Sequence, residues 1–253
     1  MKTAIFIPVR MKSTRLPGKP LLKIEGKTVI EHLIDRVKTA KFPKLIALCT
    51  TTNPEDEKLA DVAERNNIEY FRGNEKDILR RYMDAAMEYN VDFIVNVDGD
   101  DILCDPGYID KVVEQYVKTH ADFIKCEGLP FGAVPCGIKV EALKKVCEAK
   151  AESNTETGWG TYFTDTEMFN VEVIQAEKDL RHPEIRMSLD YPEDYEFFKE
   201  IFNRLYKSGK VFTLREVLTL LKENPKIEDI NKNLQKVYWK RFRKTSTKIK
   251  FKK

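Results

Sequence analysis

The sequence contains few of the residues that form disulfide frameworks or soft-metal sites. Its 253 residues include five Cys and three His. No two Cys are spaced as Cys-x-x-Cys, and no His accompanies a Cys in a metal-binding pattern. An odd number of Cys in apolar, strand-like surroundings is typical of small buried hydrophobic residues. This usage argues against a disulfide-stabilised secreted protein and a Cys/His zinc site, and it predicts a cytoplasmic protein.

Long apolar runs and a strong charge imbalance are also lacking. The longest hydrophobic stretches have the length of strands, so we expect a soluble protein with no signal peptide and no membrane span. The net charge of +3, with 34% charged residues, argues against a dedicated nucleic-acid binder. Without repeats or Gly/Ser linkers, residues 1–235 are predicted to form one domain. Residues 236–253 follow as a basic tail with nine Lys or Arg and no acid. We expect a frayed, solvated tail; a weak patch for an anionic partner or membrane face is the alternative.

Strand-like and helix-like segments alternate through the chain. The apolar runs predict strands at 3–9, 45–50, 69–71, 92–97, 122–127, 134–140 and 169–175. Apolar residues at helical spacing, with N-terminal Asp, Asn or Pro, predict helices at 28–40, 54–65, 76–89, 106–120, 192–205 and 213–223. This β-α alternation favours an α/β fold with a mostly parallel sheet and helices on both faces.

The loop after the first strand reads IPVRMKSTRLPGKPL at residues 7–21 and is rich in positive charge. Its cations are Arg10, Lys12, Arg15 and Lys19. Arg offers paired donors to phosphate oxygens and Lys a compact charge, while Ser13 and Thr14 add hydroxyl groups. The GxxxxGK[ST] spacing of a Walker loop is absent. The pattern predicts a polyphosphate site rather than a merely basic surface loop.

Acidic residues follow the fourth predicted strand, at Asp98, Asp100 and Asp101. Three carboxylates within four residues repel one another unless a cation lies between them, and oxygen ligands of this kind suit Mg²⁺. Asp190, far downstream, ends a short apolar stretch just before a predicted helix. Its spacing alone leaves open whether it is a second metal ligand. The carboxyl ends of parallel strands meet at one edge of a sheet, so we expect the acidic and cationic loops to face each other.

These segments together resemble the CMP-sugar synthetases. That family comprises the cytidylyltransferases acting on 3-deoxy-manno-octulosonate and on acylneuraminate, and the spore-coat polysaccharide cytidylyltransferase-like branch resembles this chain best. The resemblance lies in residues 8–19, 50–56, 71–82, 96–100 and 189–194, which occur in the family's order. It covers roughly residues 1–125 and 186–206.

The resemblance implies a Rossmann-like nucleotide-diphospho-sugar transferase fold and a homodimer. It implies an enzyme that uses CTP and Mg²⁺ and transfers CMP to the hydroxyl of a 3-deoxy-2-keto sugar acid, giving a CMP-sugar and pyrophosphate. The implied nucleotide-binding residues are Arg10, Ser13, Arg15, Lys19, Arg72, Gly73, Asp77 and Asp98. The implied metal ligands are Asp100 and Asp190, and the implied catalytic residues are Lys19, Arg10, Asp100 and Asp190.

The segment 129–170 departs most from the family pattern, in the region that usually meets the acceptor and the dimer partner. Candidate acceptor contacts are Lys139, Trp159 and Arg186, although core packing is an alternative role for Trp159. Three other functions are compatible with the sequence: a nucleotidyltransferase using another nucleotide or a non-sugar acceptor, a metal-dependent glycosyltransferase, and, last, a non-enzymatic anion-binding protein.

Overall fold

A seven-stranded sheet forms the centre of the protein, whose computed structural model describes residues 1–252. A small separate hairpin consists of β2 (Lys23–Ile24) and β3 (Lys27–Thr28). The strands of the main sheet are β1 (Thr3–Pro8), β4 (Leu45–Thr51), β5 (Glu69–Gly73), β6 (Phe93–Asn96), β7 (Phe123–Glu127), β8 (Cys136–Lys139) and β9 (Val171–Gln175).

The strand order is β5-β4-β1-β6-β8-β7-β9, and all neighbours are parallel except those of β8. The predicted α/β fold with a mostly parallel sheet is therefore confirmed. β1 lies between β4 and β6, with Ala4 opposite Leu45 on one side and opposite Ile94 on the other. Strand order reverses at β1, and the crevice outside its carboxyl end is where ligands bind in open sheets of this kind.

Helices cover both faces of the sheet, as the alternating pattern predicts. The helices are α1 (Val29–Val37), α2 (Glu57–Arg65), α3 (Ile78–Glu88), α4 (Pro106–Thr119), α5 (Val140–Ala149), α6 (Thr161–Thr164), α7 (Pro192–Leu205), α8 (Leu214–Glu223), α9 (Pro225–Glu228) and α10 (Leu234–Thr245). No helix within residues 1–252 is long and apolar enough to cross a membrane.

Side chains of β1 alternate between two hydrophobic cores. Ile5 and Ile7 pack with α1, α4, α7 and α8 on one face, whereas Ala4 and Phe6 pack with α3, α5 and α6 on the other. All four are fully buried. Burial stabilises a large apolar side chain by about 1.5–3 kcal/mol, so this strand is anchored from both sides. The end of β1 is consequently a rigid support for the loop that follows it.

The C-terminal segment is ordered, and the prediction of a frayed tail is wrong. α10 is a three-turn helix, and residues after it return to the body of the protein. The Lys252 backbone N–H donates to the Ala149 carbonyl at 2.8 Å, and the Ala151 N–H donates to the Lys250 carbonyl at 2.8 Å. Aromatic side chains of α10 supply the driving force, which a count of charges does not reveal.

Candidate active site

The cationic loop after β1 folds back on itself. Gly18 adopts φ 67°, a left-handed conformation that glycine reaches without strain, and its N–H donates to the Met11 carbonyl at 3.3 Å. The Ser13 hydroxyl accepts from the Leu16 N–H at 3.3 Å. The Met11 N–H in turn donates to Asp56 at 2.7 Å, which ties the loop to the end of β4. The loop is thus held over the crevice beside β1.

The acidic loop after β6 packs directly against the start of the cationic loop. The Gly99 N–H donates to the Pro8 carbonyl at 3.1 Å. A Cβ at position 99 would lie 2.8 Å from that carbonyl oxygen and 2.8 Å from Val9 Cβ, closer than real side chains come. Glycine is therefore required here for the two loops to approach. Asp100, just after it, meets the cation Lys19 as the sequence predicts.

Lys19 lies at the centre of the site and bridges two carboxylates that are 90 residues apart in the sequence. Its Nζ is 2.5 Å from Asp100 Oδ2 and 3.2 Å from Asp190 Oδ1, and it also donates to the Leu189 carbonyl at 2.8 Å. The Leu189 N–H donates to the Asp100 carbonyl at 3.0 Å, so the two acidic segments are also joined through the backbone. The structure therefore brings Lys19, Asp100 and Asp190 together.

The charges of this cluster reinforce one another. Burial by itself would lower the pKa of Lys19, but the neighbouring carboxylates of Asp100 and Asp190 raise that pKa above its ordinary value. Burial would raise the pKa of Asp190, whereas Lys19, Arg15 and Arg186 together lower it. Both partners consequently stay charged at neutral pH.

Asp190 is held from behind by a buried ionic network. Arg186, which has no exposed surface, donates to Asp190 at 3.1 Å and to both oxygens of Asp194 at 2.8 Å. Asp194 also accepts the backbone N–H groups of Asp190 and Tyr191 at 2.9 Å each. Asn231 adds a donor to Asp194 at 3.0 Å. This network fixes the direction of the Asp190 carboxylate.

Asp194 has a role that its place in the sequence does not indicate. As a first-turn acid of α7 it suggests only an interaction with the helix dipole. Its real partner, Arg186, precedes it by eight residues and is completely buried with it. An Arg and an Asp flanking the candidate ligand Asp190 are the signal that could have indicated a support for that ligand.

Asp98 lies in a more apolar part of the crevice. Asn96 donates to it at 3.1 Å, and the buried Tyr82 hydroxyl donates to the other end of the Asn96 amide. Burial and the nearby Asp100 raise the pKa of Asp98 to about 6. Burial likewise raises the pKa of Asp101 well above its ordinary range. The acidic loop is thus under electrostatic stress that an added cation would relieve.

The remaining loop cations line the rim of the crevice. Arg15 forms an ion pair with Asp190, and its guanidinium lies 5.2 Å from the centre of the Tyr191 ring. Arg10 is 3.3 Å from Glu156, which also binds the buried Arg81 at 2.8 Å. The Arg10 side chain remains 37% exposed. Both arginines are therefore partly exposed and placed to donate to a ligand in the crevice.

The predicted nucleotide-binding residues at the end of β5, Arg72 and Gly73, make internal contacts. Arg72 donates to the Thr51 carbonyl at 3.1 Å and to the Asn53 carbonyl at 2.9 Å, and it pairs with Glu57. The Gly73 carbonyl accepts from the Thr52 N–H at 3.2 Å. These contacts shape the loop after β4, and the nucleotide contacts predicted for Arg72 and Gly73 stay predictions.

Asp77 has a structural role in this arrangement. Its carboxylate caps α3 by accepting the Arg80 N–H at 3.1 Å, accepts the Thr155 hydroxyl at 2.8 Å and pairs with the buried Lys150. Only 6% of Asp77 is exposed. The geometry gives no support to its predicted contact with the nucleotide.

The structure gives no support to the candidate acceptor contacts. β8 runs antiparallel to β6, so Lys139 lies opposite Phe93 at the far edge of the sheet, where it pairs with Glu141 at 3.1 Å. Trp159 packs in the core against Tyr82 and Phe123, the alternative role. Strand direction places Lys139 away from the crevice and Arg186 is completely buried, so the geometry gives no support to these two acceptor contacts, which stay predictions.

The acidic residues suit a metal that is only partly held by protein. Within residues 1–252, no group of three or more His, Cys, Asp or Glu side chains is placed to hold a metal alone. Asp100 and Asp190 are nevertheless close enough for one ammonium group to bridge both. Mg²⁺ commonly takes one or two carboxylates and completes its shell with phosphate oxygens and water. The donor set therefore fits Mg²⁺ bound together with a phosphate ligand.

Comparison with known proteins agrees with this geometry. The family model described as cytidylyltransferase matches residues 4–227, nearly all of the sheet and its helices. The chain belongs to the cytidylyltransferase family. It is therefore an enzyme of the nucleotidyltransferase class, and CTP is the co-substrate that the family implies.

Relatives of this cytidylyltransferase include a protein of polysaccharide biosynthesis and a cytidylyltransferase for a sugar acid. The spore coat polysaccharide biosynthesis protein SpsF of Bacillus subtilis is 26% identical over 87% of this chain and 94% of its own length. The 3-deoxy-manno-octulosonate cytidylyltransferase 2 of Hydrogenovibrio crunogenus is 34% identical over 48% of this chain and 50% of its own length. The match with the higher identity, to the Hydrogenovibrio crunogenus protein, thus covers only about half of each chain.

A solved cytidylyltransferase from Leptospira borgpetersenii has the same fold. It superposes with a TM-score of 0.80 at 27% identity and covers 90% of this chain and 96% of its own. The predicted Rossmann-like nucleotidyltransferase fold is confirmed, including the C-terminal half where the sequence motifs are sparse.

Proposed function

We propose that this cytidylyltransferase transfers CMP from CTP, in a Mg²⁺-dependent reaction, to the hydroxyl of a 3-deoxy-2-keto sugar acid. The products are a CMP-sugar and pyrophosphate. The observation that carries the proposal is the bridge from Lys19 to Asp100 and Asp190 at the carboxyl edge of the sheet. A single ammonium group lies between two carboxylates there, and it belongs to the loop whose four cations favour a polyphosphate ligand.

The residues of the chain divide between holding phosphate and holding the metal. Arg10, Arg15 and Lys19 bind the triphosphate. Its phosphate oxygens then replace Asp190 and Glu156 as partners for part of the positive charge on these side chains. Asp100 and Asp190 would hold Mg²⁺. Bound there, the metal supplies charge neutralisation on the phosphates and a lower pKa for the attacking hydroxyl.

Positioning accounts for the rest of the chemistry. The acceptor oxygen attacks the α-phosphorus in line, and pyrophosphate leaves toward Lys19 and Arg10, whose charges stabilise it. The rigid end of β1 and the Arg186–Asp194 pair keep these groups in place without reorganisation during the reaction. No covalent enzyme intermediate is required.

The choice of acceptor is supported by the relatives and by charge. One relative acts on 3-deoxy-manno-octulosonate, and another belongs to polysaccharide biosynthesis. A sugar acid is anionic, and the crevice presents Arg10 and Arg15 with partial exposure. The acceptor-contacting residues and the homodimer that the resemblance implies stay predictions.

The test is a release assay for pyrophosphate with purified protein. CTP and Mg²⁺ are supplied with a panel of 3-deoxy-2-keto sugar acids, neutral sugars and polyols, and parallel reactions contain EDTA. We expect release only with CTP, Mg²⁺ and a sugar acid. Release with a neutral sugar or polyol and not with a sugar acid would show that the acceptor is not a sugar acid. Undiminished release in EDTA would refute the role of the metal.

Use of another nucleotide is the alternative, because the charged side chains of the crevice support the binding of phosphates and do not distinguish one base from another. Thermal unfolding with CTP, UTP, GTP or CMP, each with Mg²⁺, separates the cases, since a ligand that binds only the native state raises the Tm. We expect the largest rise with CTP. A larger rise with a different triphosphate would assign the enzyme to that nucleotide.

A further inference from the structure

The C-terminal helix α10 has two chemically different faces. Tyr238 and Phe242 face the body of the protein, where the Tyr238 ring lies 4.9 Å from the Phe131 ring. Phe242 packs beside Gly158, whose missing side chain leaves room for it. The Tyr238 ring also lies 5.3 Å from the buried guanidinium of Arg186. These contacts fix the rotation of the helix about its axis.

The opposite face of α10 carries a basic stripe, defined here as Lys236, Lys240, Arg243 and Lys244. Their spacing of four, three and one residues places them on one side of a helix with 3.6 residues per turn, over about 12 Å of its length. All four are exposed. None of them forms an ion pair with any side chain of residues 1–252. The stripe is therefore free to attract an external anion.

Apolar side chains flank the basic stripe. At 100° per residue, Trp239 lies beside one edge of the stripe and Val237 beside the other. Trp239 is 38% exposed and Val237 is 50% exposed, both among the few large hydrophobic residues at the surface. A basic face bordered by Trp and aliphatic residues is typical of helices that lie on a membrane interface.

Positive charge is concentrated at the C-terminal end of the chain, where the basic stripe lies. Nine of the 44 Lys and Arg residues lie in the last 18 positions, which hold no Asp or Glu. The rest of the chain therefore has six more acidic than basic residues and is repelled by anionic surfaces. The C-terminal face can therefore approach such a surface favourably.

We propose that the basic stripe of α10, with Trp239 and Val237, docks this enzyme on an anionic lipid surface. The exposed apolar residues favour a membrane over a nucleic acid, because the headgroup region accepts Trp and Val whereas a phosphate backbone does not. The inward face of the same helix contacts Arg186, which binds Asp190. Docking would therefore bring the active site close to the membrane, and this inference does not depend on the identity of the acceptor.

The test is sedimentation of the full chain with vesicles at low ionic strength. Vesicles of phosphatidylcholine with phosphatidylglycerol are compared with vesicles of phosphatidylcholine alone. The variant K236E/K240E/R243E/K244E should lose binding by roughly fivefold or more per residue. Its matched control is K118E/K144E/K145E/K222E, which makes the same change in charge at four exposed lysines outside α10 that form no ion pair within the described chain. We expect this control to keep most of the binding.

Each outcome of the experiment decides the proposal. Absence of wild-type binding to anionic vesicles, or equal loss in both variants, would overturn it, and circular dichroism of both variants checks that they fold. Fluorescence gives a second readout: vesicles should shift the emission of wild type to shorter wavelength, and the Trp239→Phe variant should lose that shift while the buried Trp159 still emits. Tighter binding to RNA than to anionic vesicles would assign the stripe to nucleic acid instead.

Discussion

Two lysine–aspartate clusters of this enzyme have the same chemistry and different surroundings. At the rim of the sheet, Lys19 bridges Asp100 and Asp190, and the Asp100 side chain is 26% exposed. In the interior, Lys150 pairs with Asp77, and neither side chain is more than 8% exposed. The interior pair is completed by the Thr155 hydroxyl and by the Glu152 carbonyl, which accepts from Lys150 at 2.8 Å.

The difference shows how a site is distinguished from a scaffold. Every charge of the interior pair has a fixed partner, so nothing is left for a ligand. At the rim, three cations surround Asp190 while Asp98 and Asp101 have raised pKa values from burial. Carboxylates whose pKa values are shifted in opposite directions within one crevice are characteristic of functional sites. Substitutions in the two clusters should therefore have opposite consequences for activity and stability.

The largest effect is expected from Asp100→Asn. Loss of one carboxylate from the metal pair should lower kcat by about 10²- to 10³-fold, because the charge on the phosphates is no longer neutralised. The free energy of unfolding should change little, since Asp100 is partly exposed. Steady-state pyrophosphate release and urea unfolding measure both. Activity near the wild-type level would contradict the metal assignment.

Asp77→Asn should do the reverse. It leaves the Lys150 ammonium buried without its counter-charge, so we expect a loss of about 3 kcal/mol in the free energy of unfolding. The turnover per folded molecule should stay near that of wild type. Urea unfolding and active-site-normalised rates check the two parts. A large fall in CTP affinity with unchanged stability would restore the nucleotide-binding role predicted for Asp77.

Lys19→Met should have an intermediate effect, which we expect to see in the binding of CTP. The apolar stem is kept and the charge is removed, so the Kd of CTP should rise by about 10- to 100-fold. Calorimetric titration of CTP with Mg²⁺ gives this value, and Lys12→Met, at a more exposed position of the same loop, is the matched control. Equal effects of the two substitutions would mean that the loop acts only through its total charge.

The smallest effect is expected from Asp98→Asn, and it depends on pH. The pKa of Asp98 in the folded protein, about 6, lies above the value of about 4 expected when unfolded. The folded state therefore binds this proton more tightly, and wild type loses stability as pH rises from about 4 to about 6. The Tm of the variant should equal that of wild type near a pH of about 4. Above a pH of about 6, it should exceed the Tm of wild type by about 2 to 6 °C.

Thermal scans without nucleotide or metal, across that pH range, measure the difference in Tm between Asp98→Asn and wild type. Saturating CTP and Mg²⁺ should remove the advantage of the variant, because the cation then stabilises the carboxylate. A difference that does not change with pH would show that Asp98 is not under electrostatic stress.

The sequence predicts those site residues that directly follow predicted strands or precede a predicted helix. The end of β1, the Asp98–Asp101 loop and Asp190 could be brought together in advance because parallel strands end at one edge of a sheet. Asp77 could not be assigned, since its partner Lys150 lies 73 residues away. The position of Lys139 could not be predicted, because residue types do not reveal that β8 runs antiparallel to β6. The aromatic docking of α10 likewise depends on Phe131, more than 100 residues upstream.

The antiparallel strand β8 has a consequence for how the chain folds. β1, β4, β5 and β6 can pair as soon as residue 96 is available, whereas β7 has only β8 and β9 as neighbours within the described chain. We therefore expect the sheet to assemble in two stages, with the second waiting for β8 to turn back along β6. A kinetic intermediate with a protected amino-terminal half and an exchange-labile second half would be its signature.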